Sequence, residues 1–228
     1  MGERQSVHAL PSLLARQDIW VGQEIAPLVP GHGSGFDSLD ALLPDRGWPR
    51  QGVCELICPH PGLGELALLS PLLAALSHES DALVLLVAPP LLPVPQYLLQ
   101  QGIAIERLYW VDSRDRKEQL WAMEQALSSG GCQLVLAWLT HLSLSEARRL
   151  QLASEKGQSL GIVCLPSQQE AHPVPLKLAL EPGEGAQVRL RLLKRRGGAG
   201  EVSLNLALHD RLLPANAPVG QLIRGPWG

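Results

Sequence analysis

From residue 53 onward, short unbroken apolar runs alternate with longer amphipathic ones. The short runs are VCELIC (53–58), ALVLLVAP (82–89), RLYWVD (107–112), QLVLAWL (133–139) and SLGIVCLP (159–166). Continuous apolar segments of that length predict strands buried on both faces. The stretches between them, 65–77, 95–101, 115–129 and 143–156, predict helices. This alternation predicts an α/β fold: a mostly parallel sheet flanked by helices on both faces. After Pro166 the period changes to two. PLKLALEP, VRLRLLKR and VSLNLALHD alternate apolar with polar residues and are joined by PGEG and RGGAG. They predict an antiparallel meander that extends the parallel sheet at one edge.

The flanks differ from this core. Residues 1–30 are set off as an N-terminal arm, in which Ser12 can cap a short helix, SLLARQDIW. Leu13, Leu14 and Trp20 on that helix suit either a groove on its own sheet or a neighbouring molecule. The stretch PGHGSGFDSLDALLPDRGWPRQG is turn-rich at both ends, with a helical centre carrying Phe36, Leu39, Leu42 and Leu43. The core domain then runs over 31–213, and 214–228 form an extended Pro/Gly-rich tail. Leu222, Ile223, Arg224 and Trp227 in the tail have the composition of interface anchors. A tail tucked against its own domain is the other reading.

Composition narrows the function classes. Apolar residues make up 46% of the 228, enough for a full core, and the net charge of −3 argues against binding nucleic acid by bulk electrostatics. One local basic cluster stands out on the meander: Arg189, Arg191, Lys194, Arg195 and Arg196. It has two readings, contact with DNA phosphates or a sheet edge guarded by cations. No apolar run reaches the ~18 residues of a membrane span. No signal-peptide core opens the chain, so the expectation is a cytoplasmic protein with no membrane partner. Cys54, Cys58, Cys132 and Cys164 fall in or beside strand-like runs, as buried thiols do, and the seven histidines lack metal spacing. No metal and no cofactor are expected.

The most informative stretch is Pro59-His60-Pro61-Gly62-Leu63-Gly64-Glu65-Leu66, between the first predicted strand and its helix. A phosphate-binding loop at that place reads G-x-x-x-x-G-K-[ST]. Only the second glycine, Gly64, is present. Pro59 replaces the first glycine and brings no N–H. Glu65 replaces the lysine, setting a negative charge where phosphates need a positive one. Leu66 replaces the hydroxyl residue that would hold Mg²⁺. In the first helical turn Glu65 instead complements the helix dipole, by about 0.3–1 kcal/mol.

The order of these parts resembles the core of the RecA recombinases over roughly residues 30–210. The likeness rests on Ser34-Gly35-Phe36-Asp37-Ser38-Leu39-Asp40 with Gly47-Trp48-Pro49, on Glu55, and on Pro95-Gln96-Tyr97 through Gly102-Ile103. The more specific resemblance is to the ImuA family of RecA-like translesion-synthesis proteins. It is carried by GFDSLDALLPDRGWPRQGVCELICPHPGLGELALL and the ending QLIRGPWG. The middle of the chain and 132–166 are also similar to the SulA cell-division inhibitors, related to RecA but without a working nucleotide site.

These resemblances imply a RecA-like sheet and two further losses. Pro90 stands where a water-activating glutamate would follow the second strand, and Trp138 where a Mg²⁺-assisting aspartate would end the fourth. The DNA-gripping loops are curtailed as well. The implied function is a non-enzymatic adaptor of a damage-induced mutasome supporting translesion synthesis and mutagenesis. The implied partners are an ImuB-like Y-family polymerase homologue, an error-prone replicative-type polymerase alpha subunit, RecA and, weakly, DNA. The alternative is a SulA-type inhibitor that binds FtsZ.

Overall fold

The computed structural model describes residues 29–79, 83–91, 94–167, 171–185, 187–196 and 200–208. The chain divides into two compact units, Met1–Pro30 and Gly31–Gly228, and the described strands and helices all belong to the second. The arm residues Leu13, Leu14 and Trp20 and the tail residues Leu222, Ile223, Arg224 and Trp227 lie outside the described residues.

Eight strands form one mixed sheet: β1 Gly52–Ile57, β2 Leu83–Val87, β3 Leu108–Val111, β4 Cys132–Trp138, β5 Leu160–Leu165, β6 Leu176–Pro182, β7 Val188–Arg195 and β8 Val202–Leu206. Their order is β3-β2-β4-β5-β1-β6-β7-β8. The first six pair in parallel, with β6 alongside β1, and β6-β7-β8 form the antiparallel meander. The sheet is thus mixed α/β and extended at one edge. The other edge is β3, where Tyr109 and Trp110 are about half exposed.

The helices are α1 Asp37–Asp40, α2 Glu65–His78, α3 Pro95–Gln100, α4 Arg116–Ser128 and α5 Leu144–Gly157. Period-two alternation in the strands sorts the core into two layers. Cys54, Leu56, Leu136, Ile162 and Leu178 pack with α2, α3 and Trp48 on one face. Val53, Ile57, Val135 and Val163 pack with α4 and α5 on the other.

Pro71 lies inside α2 and cannot donate to the Ala67 carbonyl. The Ser70 hydroxyl donates to that carbonyl instead, at 3.0 Å, so the helix continues. Ser143 and Glu146 form a capping box at the start of α5, and Glu146 also accepts from Arg116 at 2.5 and 2.8 Å, tying α5 to α4. Further along α5, Ser154 and Gln151 accept from the Gly52 and Val53 N–H groups at 2.6 and 2.9 Å, docking it on β1.

The Phe36–Leu43 region forms less helix than its apolar spacing predicts. Only Asp37–Asp40 is helical, and turns lead on to Pro44. A residue preceding proline is driven out of the helical region, which ends the run early. The segment instead folds back on itself, with His32 and Trp48 exchanging backbone hydrogen bonds at 2.7 and 2.8 Å. That closure seats Leu39, Leu43 and Trp48 in the core.

A buried ionic cluster joins the two halves of the sheet. Glu55 on β1 accepts from His172 Nδ1 at 2.5 Å and pairs with Lys177 Nζ on β6 at 2.7 Å. The side chains of Glu55 and His172 are 0% exposed and that of Lys177 is 5% exposed. His172 belongs to the connection between β5 and β6, and its carbonyl accepts from Lys194 at 2.9 Å. The cluster therefore pins that connection over β1 and β6. Among the described residues no helix is long and apolar enough to cross a membrane.

Glu55→Gln leaves Lys177 buried without its counter-charge and should cost about 3–5 kcal/mol in urea unfolding. Glu55→Leu with Lys177→Met and His172→Phe, which leaves no member of the cluster behind, should recover most of that loss; a triple variant as weak as the single one refutes the account. Glu146 is held down to about 2 from 4.5, chiefly by its hydrogen bond to Arg116. A depressed carboxylate stabilises the fold above its ordinary value and loses that contribution as pH falls through the folded value. Acid unfolding monitored by circular dichroism should therefore soften between pH 4.5 and about 2, and Glu146→Gln should remove that part of the profile.

Candidate functional site

In open parallel sheets ligands bind beyond the carboxyl ends of the strands. Here that place holds a cavity of about 520 Å³, contacted by the loops that follow β1, β2, β3, β4 and β5. Its floor is the loop from Cys58 to Gly64, which turns on the positive φ angles of Gly62 (81°) and Gly64 (119°). A Cβ at Gly64 would lie 2.7 Å from Leu208 Cδ1, the end of a side chain that can turn aside, so it is the positive φ that calls for glycine here.

Glu65 opens α2 and folds its carboxylate back into the loop. Oε1 accepts from the Gly62 N–H at 3.0 Å and Oε2 from the Gly64 N–H at 3.2 Å. The residue is 4% exposed. The donors that a phosphate loop directs at its ligand are thus already engaged by a side chain of the same loop. Hydrogen bonds to a charged group contribute about 1.5–3 kcal/mol each. An incoming phosphate would have to displace them. It would also meet a repulsion of about 4 kcal/mol per unit charge at 4 Å and an effective dielectric of 20.

The other predicted positions divide between cavity and core. Pro59, Pro90 and Trp138 line the cavity with Glu65. Leu66, in the first turn of α2, packs against the core. The structure thereby brings Glu65, Pro90 and Trp138 together from three separate strand ends. His60 is an exposed loop residue.

Ala88 at the cavity wall has φ +50°, a strained value for an alanine, and its N–H donates to the Val111 carbonyl at 2.9 Å. Cys58 and Cys164 also line the wall. The Cys164 thiol is raised well above its ordinary value by its hydrogen bond to Cys58, by burial, and by the charges of Cys58 and Glu65. It is a thiol at neutral pH. All four cysteines are free, and no cluster of metal-ligating side chains occurs among the described residues.

The five basic residues of the meander do not form one patch. Arg191 is held between Glu181, at 2.5 Å, and Glu201. Lys194 donates to the His172 carbonyl and Arg195 to the Leu42 carbonyl, at 2.9 and 2.8 Å. Arg189 shares the solvent-facing side of the meander with Arg191, Ser203 and Asn205, and Arg196 is exposed.

Sequence reasoning did not find the Glu55–His172–Lys177 cluster or the cavity contribution of Asp112, Ser113, Arg114 and Gln119. One signal was available for the latter: Asp112 directly follows a predicted strand, at the end where sites assemble.

Gly64→Ala should destabilise the protein by about 1–3 kcal/mol, chiefly through the φ penalty. Thermal unfolding measures this directly. An unchanged midpoint would show that the loop does not hold residue 64 at this positive φ.

Comparison with known proteins places this geometry in a family. The model of the cell division inhibitor SulA family matches residues 53–161, from β1 to the start of β5. The cell division inhibitor SulA of Erwinia pyrifoliae is 31% identical over 128 residues, 53% of this chain and 75% of that one. SulA of Edwardsiella piscicida is 33% identical over 101 residues, 44% of this chain and 60% of that one. Protein ImuA of Caulobacter vibrioides is 32% identical over 133 residues, 57% of this chain and 54% of that one. The chain thus spans only 54–60% of the Edwardsiella and Caulobacter relatives. The identity and coverage reached with the Erwinia protein settle the relationship: the chain belongs to the SulA family.

Proposed function

We propose that this chain is a non-catalytic, RecA-like adaptor that works through protein contacts in a damage-induced mutasome, as its resemblance to ImuA implies. The observation that carries this reading is the Glu65 carboxylate seated on the Gly62 and Gly64 N–H groups. Phosphoryl transfer depends almost wholly on positioned positive charge and metal, and this loop supplies neither. A protein of this family that cannot turn over nucleotide acts by binding.

The strands beyond the family match support ImuA-like over SulA-like work. The family match ends at residue 161, yet three further strands continue the sheet. A match of 133 residues covers 54% of the Caulobacter ImuA, whereas 128 residues cover 75% of the Erwinia SulA, so the ImuA relative is the longer of the two. In this reading the partners are an ImuB-like polymerase homologue and an error-prone replicative-type polymerase alpha subunit, with tail residues Leu222, Ile223, Arg224 and Trp227 as anchors. Leu13, Leu14 and Trp20 of the arm contact RecA. DNA contact through the meander falls mainly to Arg189 and Arg196, because Arg191 is neutralised by two carboxylates. The second reading, inhibition of division through FtsZ, is favoured by the SulA family match itself.

Calorimetry with Mg-ATP at millimolar concentration should give no saturable heat; micromolar binding would replace the adaptor with an ATP-driven machine. ImuB should co-purify with the full chain and be lost from a chain ending at Pro218. Filamentous cells on overproduction, with no capture of ImuB, would select the FtsZ reading instead.

A further inference from the structure

The cavity beyond the strand ends has about 520 Å³ of room and more negative than positive groups in its lining. Among the described residues its lining holds two carboxylates, Glu65 and Asp112, against one cation, Arg114. Each Glu65 oxygen accepts one loop N–H, which leaves further lone pairs on a carboxylate that can accept about four hydrogen bonds. Glu65 also helps to raise the Cys164 thiol, so its negative potential is felt across the wall.

Much of the remaining wall is apolar and stiff, with Ser113, Gln119 and Thr140 as its polar members. Pro59, Pro61, Pro89, Pro90 and Pro166 line it, together with the ring of Trp138. Prolines have little freedom to lose on binding, so such a wall is preformed. Aromatic rings attract cations lying over their faces within about 6 Å. At about 520 Å³ the space falls within the range of small-ligand pockets and exceeds what a lone phosphate needs. The strained φ of Ala88 at the wall is a further mark of a site held in shape for use.

We propose that this cleft is a socket for a basic side chain, the guanidinium or ammonium of an extended peptide segment on a partner protein, with Glu65 and Asp112 as its counter-charges. The prolines and Trp138 sheath the aliphatic stem, and the carboxylates receive the head group. The inference rests on the reading of the cleft as one that takes no nucleotide, and it names the chemistry that would replace it.

The test uses the full chain, labelled with ¹⁵N, and follows the Trp138 indole N–H, assigned by comparison with Trp138→Phe. The probe is acetyl-Ala-Pro-Arg-Pro-Ala amide; its control carries citrulline, which has the same shape without the charge. The arginine peptide should shift the Trp138 resonance and saturate with a Kd of about 1 mM or below. The citrulline peptide should bind at least about tenfold more weakly, a difference of about 1.4 kcal/mol. Glu65→Gln should bring the two peptides close to equal affinity. Asp112→Asn, at an exposed position of the rim, should cut the preference severalfold and decides the matter if Glu65→Gln disturbs the loop. Equal affinity for both peptides in the parent chain, or no shift at about 10 mM of either, overturns the socket. If neither Mg-ATP nor the arginine peptide moves the resonance, the socket falls and the adaptor stands. If Mg-ATP moves it, both fall.

Discussion

A carboxylate bound to the N–H groups of its own loop governs this molecule. Tight loops between a strand and a helix leave backbone donors pointing into open space, and those donors need an acceptor. In this family member Glu65 meets that need from within. Two hydrogen bonds, 3.0 and 3.2 Å long, keep the turn closed without any ligand. Loop order and ligand binding are thereby separated, and the strand ends form a cleft whether or not anything fills it.

The rest of the architecture holds that loop in place from both sides. Gly64 lies against Leu208, just past β8, so the meander reaches back to the floor of the cleft. On the opposite face, Glu55 ties β1 to Lys177 of β6 and to His172 of the connection that precedes it. Desolvating such a group is costly, and removing one member would leave its partners stranded. The arrangement fixes how β6 is aligned with β1, at a point where aliphatic contacts would tolerate a slip.

Much of the fold was legible because its signals are local. Unbroken apolar strands, the helices between them and the first two meander strands appear within two residues of their expected ends, whereas the last meander strand stops at Leu206, short of the VSLNLALHD run. The α1 region was over-read: its spacing of apolar residues is helical, but Pro44 and the His32–Trp48 pairing ended the helix at Asp40. The degenerate loop was legible one residue at a time. That Pro90 and Trp138 share a cavity with Glu65 needed the sheet order. The basic residues of the meander illustrate the opposite limit. Period two correctly put Arg189 and Arg191 on one side, yet nothing in the spacing revealed that Glu181 and Glu201 clasp Arg191. The ionic cluster was hidden for a similar reason, since Glu55 and His172 are 117 positions apart.

The parallel seam between β1 and β6 has a consequence for dissecting the protein. β1 is an interior strand only because β6 flanks it opposite β5. A fragment cut after β5 would turn the central loop-bearing strand into a bare rim, with unpaired amides along it and Glu55 stripped of its ammonium neighbour. Such a piece would carry the whole family-matched segment and still be prone to stick to other chains, edge to edge. The meander is therefore a boundary that the cleft needs in order to exist in a lone, unaggregated molecule.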